Sequence, residues 1–186
     1  MATLTMLVGR KGSGKSYRMR AMLQKYPRVL LLDPMREHAT VEPPPPPHLV
    51  RMRDAFLGLQ RREVIRTAHL PEFLAYVNHA LGWCVAIDEA HLFWAGDDAR
   101  RIENAMRVMR HRRQDWFLVS HRIAWTPISV VSQLDRLLAF QMTWGTDLIK
   151  LQDEFGMEPE TLKALGVGEC CEWRANQTGC WRRPSL

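Results

Sequence analysis

The stretch TLTMLVGRKGSGKS, residues 3 to 16, constrains this chain more than any other. Apolar residues Leu4 to Val8 run without a spacer into glycines at 9, 12 and 14, followed by Lys15, Ser16 and Tyr17. Glycines so placed let the backbone wrap tightly with its N–H groups inward. A helix starting near Lys15 then aims its positive end into the same hollow. Strand, wrapped loop and helix in that order open a βα unit, and such units belong to a sheet buried on both faces.

The rest of the chain continues the alternation. Short apolar runs recur at 28–33, 63–67, 83–88, 116–120 and 137–142. Helical patterns fill the gaps at 16–25, 71–81 and 98–111, and in the last of these Ile102, Ala105, Met106 and Met109 share one face. The expected fold is α/β: a P-loop NTPase domain with a mainly parallel central sheet, flanking helices and a C-terminal β-hairpin. The hairpin is expected over 168–183, around a turn from Asn176 to Gly179. Five prolines at 43–47 suit neither helix nor central strand and read as a surface loop. With 186 residues and 46% hydrophobic content, residues 1–186 are expected to form one domain.

GRKGSGKS matches GxxxxGK[ST] in full, in the strand-to-helix setting that gives the pattern meaning. Gly9, Arg10, Lys11, Gly12, Ser13, Gly14, Lys15, Ser16 and Tyr17 are the expected nucleotide-binding residues, with ATP and Mg²⁺ as ligands. Lys15 reaches the β and γ phosphates, and the Ser16 hydroxyl ligates magnesium. WCVAIDEAH supplies the second element: Asp88, after a buried strand, holds the metal, and Glu89 polarises the attacking water. No NKxD-like base reader of switch GTPases is present, and nothing suggests the lid of a small kinase. ATP turnover coupled to motion is the better reading. RHRRQDWFLVSHR, residues 110–122, delivers His121 to the carboxyl end of another strand, where it is placed to sense the γ-phosphate.

The P-loop, LLLDP at 30–34, VAIDEAH at 85–91, the RHxxxDxxLxSH frame at 110–121 and LGVGE at 165–169 together resemble the FtsK/HerA superfamily of DNA-pumping ATPases. The resemblance covers about residues 4 to 142 and the later LGVGE. Histidine stands at 121 where that superfamily usually has glutamine, and Arg122 follows where it often has arginine. The resemblance implies a ring, a hexamer being the expected number, in which an arginine reaches the neighbouring subunit's nucleotide. Arg110 is the first candidate, with Arg112 and Arg113 as rivals. The short chain is most similar to the small genome-packaging ATPases of icosahedral viruses with an internal membrane. That implies double-stranded DNA as a partner, docking to capsid or virion membrane proteins, and a place in host cytoplasm or virion.

Charge agrees with a polyanionic partner: the formal net charge is +6, and 21 of 26 basic residues are arginine. Arg100, Arg101, Arg107, Arg112 and Arg113 are the leading DNA-contact candidates, with Arg51, Arg53, Arg61 and Arg62 second. Trp94 is a candidate wedge at DNA, or a packing residue. Cys84, Cys170, Cys171 and Cys180 form no metal or disulfide pattern. No run approaches the ~18 apolar residues of a membrane span, and no signal peptide is read at the start. Two other readings stay open: a filamentous-phage assembly ATPase of the zonula occludens toxin-like type, and a nucleotide-binding capsid-vertex scaffold with little turnover.

Overall fold

The structure, a computed structural model, describes residues 2–38, 50–54, 62–177, 179 and 181–185. The proline run 43–47, Arg61, Cys180 and the side chains of Arg51, Arg53 and Arg62 lie outside the described residues.

Among the described residues, nine strands form one sheet in the order β3-β4-β2-β5-β6-β1-β7-β8-β9. They are β1 (Leu4–Val8), β2 (Arg28–Leu32), β3 (Val50–Asp54), β4 (Arg62–Thr67), β5 (Cys84–Ile87), β6 (Asp115–Ser120), β7 (Arg136–Phe140), β8 (Cys170–Arg174) and β9 (Trp181–Arg183). The six inner strands from β4 to β7 are parallel, and antiparallel strands close both edges. The expected mainly parallel sheet and terminal hairpin are present, the hairpin as the β8–β9 pair.

Alternation along each strand sends side chains to two cores. Leu7, Leu31, Val119 and Leu138 pack with Met19 and Leu23 of α1 (Lys15–Leu23) on one face. Met6, Leu30, Leu118 and Leu137 face the larger core on the other. That side holds α2 (Leu70–Val77), α3 (Gly96–Arg107), α4 (Ile128–Val131), α5 (Gly145–Phe155) and α6 (Pro159–Lys163). In α3 the buried residues are Ile102, Ala105 and Met106, and Met109 just beyond is buried too, so the expected apolar face holds. The helices at 71–81 and 98–111 are shorter than the sequence suggests. Gly82 turns at φ +72, and a run of turns from 108 to 113 ends in left-handed Arg113 at φ +54.

Three helices and one edge strand were not expected. Of these, α5 buries Leu148, Leu151 and Phe155 and ends at Gly156 with φ +64.

The sheet's order matters for the site. β5, β6 and β1 are adjacent, so the residues after each emerge side by side at their carboxyl ends.

Candidate functional site

The loop after β1 is shaped by two close approaches. A Cβ on Gly9 (φ +154) would lie 2.7 Å from Phe140 Cβ, and one on Gly14 (φ +100) would lie 2.9 Å from Gly168 N and Cα. Gly168 N–H also donates to the Ser13 carbonyl at 2.9 Å, so the LGVGE segment braces the loop from outside. Only glycine fits Gly14, on both sterics and φ.

Lys15 is buried, and its Nζ donates to the carbonyls of Gly9 (2.8 Å) and Arg10 (2.9 Å). Burial pulls its pKa down to about 8, against the upward pull of Glu89, Asp88 and Glu37. The Ser13 Oγ is buried with no partner. An orphaned hydroxyl inside a loop of inward N–H groups fits an anionic ligand, whose oxygens would satisfy it.

Three acids and histidines gather opposite. The Lys15 Nζ lies 3.0 Å from His121 Nδ1, and His121 Nε2 lies 2.9 Å from Glu89 Oε1. One neutral tautomer satisfies both contacts: Lys15 donates to Nδ1, and Nε2–H donates to the Glu89 carboxylate. Glu89 is held in the left-handed region, φ +50 and ψ +42, which costs a non-glycine residue about 1–3 kcal/mol. Its other oxygen lies 3.3 Å from His91 Nδ1, close but not aligned for a hydrogen bond. His91 packs edge-on against His121 with ring centroids 5.3 Å apart. Burial, countered by the Glu89 charge, leaves the His91 pKa lowered and favours its neutral form.

Asp88 is buried beside Ser16, whose Oγ lies 3.5 Å from Asp88 Oδ2. The Glu89 N–H donates to Oδ1 at 2.9 Å, and His38 Nε2 contacts Oδ2 at 2.6 Å. Burial pushes the Asp88 carboxyl up, but the His38 hydrogen bond and charge, the Glu89 N–H and Lys15 outweigh it, so the carboxylate form is favoured. A hydroxyl and an ionised carboxylate facing each other are the hard oxygen donors that magnesium takes.

His38 was not foreseen. The buried Asp33 of LLLDP accepts the N–H groups of Glu37 and His38 at 3.0 Å each, which folds the turn that delivers His38 to Asp88. Arg66 on β4 stands 3.7 Å from the same Asp33 carboxylate.

An open cleft of about 630 Å³ is lined by Lys11, Gly12, Gly14, Lys15, Ser16, Tyr17, Met35, Glu37, Glu89, His91, Leu92 and His121. Of the expected nucleotide-binding residues, Lys11, Gly12, Gly14, Lys15, Ser16 and Tyr17 line this cleft; Gly9, Arg10 and Ser13 do not, Arg10 being exposed on the loop. Arg110 does not enter it either. It lies at the opposite end of the sheet, 58% exposed, with Nη2 3.5 Å from Asp135 Oδ1. Arg112 and Arg113 occupy the same run of turns before β6. Arg100, Arg101 and Arg107 lie on the exposed side of α3, with Arg100 3.7 Å from Asp97 and Arg101 3.9 Å from Asp98. Trp94 packs against the larger core, as a packing residue does.

Arg122 has a structural setting of its own. Its Nε donates to the fully buried Asp147 at 2.5 Å, and its guanidinium stacks between Trp125 and Trp144, 4.8 and 4.6 Å from their ring centroids.

No protein-family model matches the chain, and no curated protein matches it significantly. Solved structures do. The genome-packaging NTPase B204 of Sulfolobus turreted icosahedral virus 2, in complex with AMPPCP, superposes with a TM-score of 0.74 at 17% identity, covering 100% of this chain and 98% of that one. B204 of Sulfolobus turreted icosahedral virus, described as its DNA-packaging ATPase, gives 0.72 at 15% identity, with 99% and 98% covered. The N-terminal domain of zonular occludens toxin from Neisseria meningitidis gives 0.55 at 13% identity, with 98% and 93% covered. The chain therefore has the fold of these ATPases over its whole length.

Proposed function

We propose that this protein is an ATP-driven double-stranded DNA translocase of the viral genome-packaging type, working as a ring. The observation that carries the ATPase part is the contact of Glu89 with His121, on adjacent strand ends, beside Lys15 and the glycine loop. The likeness to packaging ATPases at full coverage supports the DNA-moving part, since B204 is described as a packaging enzyme.

In this reading the triphosphate of ATP lies along the glycine loop. Lys15 faces the β and γ phosphates, and Ser16 and Asp88 hold magnesium. Bound there, the metal supplies positive charge to phosphate oxygens. Glu89 accepts a proton from water as its oxygen bonds the γ-phosphorus. The bond from phosphorus to the β–γ bridging oxygen breaks, and ADP leaves with the electron pair. His121 keeps the Glu89 carboxylate aimed, and its ring shares Lys15, so it is placed to register whether a γ-phosphate is present. An arginine from the neighbouring subunit, Arg110 first and Arg112 or Arg113 next, stabilises the developing charge. ATP and Mg²⁺ are the ligands, double-stranded DNA and further copies of the chain the partners, and a capsid or virion membrane protein the docking point. Host cytoplasm and virion are the places of action.

The test is Glu89→Gln, which keeps the shape of the site but removes the base. It should bind a fluorescent ATP analogue with near-parental affinity and lose hydrolysis by at least ~10²-fold. Hydrolysis within threefold of the parent would refute the assignment. Rings that form on nucleotide without turnover, even with DNA, would favour the scaffold reading.

A further inference from the structure

The cleft sits at the carboxyl ends of the parallel strands; a cluster of lysines and arginines gathers at the opposite end. Lys25 and Arg28 lead into β2, both exposed. Arg110, Arg112 and Arg113 lead into β6, and Arg136 opens β7. β8 runs the other way, so that Arg174 comes to rest opposite Arg136.

The described carboxylates beside them are few, and each is engaged. Asp115 Oδ1 accepts the Thr3 N–H and hydroxyl at 2.8 and 2.9 Å, and Asp135 Oδ2 accepts the Leu4 N–H at 2.8 Å. Glu172, only 1% exposed, is clasped by three arginines at once: Arg136 (2.7 Å), Arg174 (2.6 Å) and Arg183 (2.7 Å). Three cations on one carboxylate leave an excess of two.

Between α1 and this edge runs a groove of about 580 Å³, whose lining includes Arg18, Lys25, Tyr26, Arg136 and Arg174 and one acid, Asp135. Residues 16 to 32, which run from α1 past Lys15 through β2, contain four lysines and arginines and no acid. The exposed side of α3 is different: GDDARRIENAMR balances three arginines with three acids.

We propose that Lys25, Arg28, Arg136 and Arg174 at this edge, with the groove beneath α1, bind the phosphate backbone of duplex DNA, and that α3 does not. The inference rests on the proposed reading of duplex DNA as partner. Arginine forks fit phosphate oxygens, and backbone contacts hold a duplex without reading its sequence. From β2 to β8 the sheet order counts five steps. At ~4.8 Å per step the edge spans about 24 Å, a length of duplex axis that carries about 14 phosphate charges.

The test measures fluorescence anisotropy of a short labelled duplex with the full-length chain, between about 50 and about 200 mM NaCl. Lys25→Gln/Arg28→Gln alters exposed residues outside the cleft; Arg100→Gln/Arg101→Gln is the comparison on α3. The edge variant should lose about tenfold in affinity at low salt, with the log–log salt slope falling by about 2. The α3 variant should stay within twofold, and DNA-free ATP hydrolysis should be unchanged in both. An edge variant within twofold of the parent, or loss in the α3 variant instead, overturns the location while leaving the DNA reading standing. A parent chain that ignores duplex, including one that pellets with anionic phospholipid vesicles instead, overturns both.

Discussion

Removing the His121 ring should slow turnover without weakening nucleotide binding. His121 joins two parts of the site, accepting from Lys15 at 3.0 Å and donating to Glu89 at 2.9 Å. A hydrogen bond to a charged group contributes about 1.5–3 kcal/mol. In His121→Ala, Glu89 keeps only the poorly aligned His91 at 3.3 Å, and its strained backbone stays unchanged. If that one bond to Glu89 is what aims the base, its loss raises the barrier by about 2 kcal/mol, or about thirtyfold in kcat. Lys15 keeps its two carbonyl acceptors, so KM for ATP should change less than threefold. His121→Gln offers a donor and an acceptor on one planar group and should recover kcat to within about fivefold of the parent. The assay is steady-state phosphate release over a range of ATP concentrations. A kcat within threefold of the parent for His121→Ala, or a His121→Gln as slow as the alanine variant, refutes the reasoning.

Further outcomes follow from other contacts. Gly14→Ala forces a Cβ to within 2.9 Å of Gly168 at φ +100; it should cost about 2 kcal/mol, seen as a fall of about 4–8 °C in Tm, and an unchanged Tm would contradict the bracing role of LGVGE. Gln114, fully buried, donates to the Val77 and Ala80 carbonyls and accepts from Trp116 Nε1. Gln114→Leu strands the Ala80 carbonyl and the Trp116 Nε1–H and leaves the Val77 carbonyl only the long bond from Ala80 N–H at 3.4 Å; it should destabilise by at least about 2 kcal/mol in urea unfolding, a loss under about 1 kcal/mol being the contrary result. At Glu172, burial pushes the pKa up, but Arg174, Arg136 and Arg183 together hold it below the ordinary value. With the folded pKa depressed, this carboxylate's stabilisation is present above its unfolded pKa and lost as pH falls through the folded one. Glu172→Gln should therefore flatten the decline of Tm below about pH 4.5, and a parallel decline in both proteins would contradict it.

Much of this architecture is written in local pattern. The strand runs and the face of α3 follow from apolar periodicity, and the glycine loop follows from its own spacing. The adjacency of β5, β6 and β1 is different in kind, because pairing across the sheet leaves no local mark. The sequence marks only that Asp88, Glu89 and His121 each follow an apolar run, not which of those runs lie side by side.

What stayed hidden was hidden for physical reasons. His38 reaches Asp88 only because Asp33 captures two backbone N–H groups, a turn with no periodicity to read. The antiparallel β3, Val50–Asp54, is a short edge strand with charged residues among its five. α6 is five residues long, too short to show helical spacing. α5 did carry a signal, in Leu148, Leu151 and Phe155 before Gly156. The neutral character of α3 was equally legible, since Asp97 and Asp98 precede Arg100 and Arg101 by three residues.

The central claim is that hydrolysis at Lys15 and Glu89 is coupled to DNA, and steady-state ATP hydrolysis with and without double-stranded DNA tests it most directly, with Lys15→Ala as control and salt as a second axis. The account predicts turnover that duplex DNA raises several-fold, stimulation that fades as salt rises, and no activity in Lys15→Ala. Turnover indifferent to DNA at every salt concentration, or hydrolysis that survives Lys15→Ala, would contradict it.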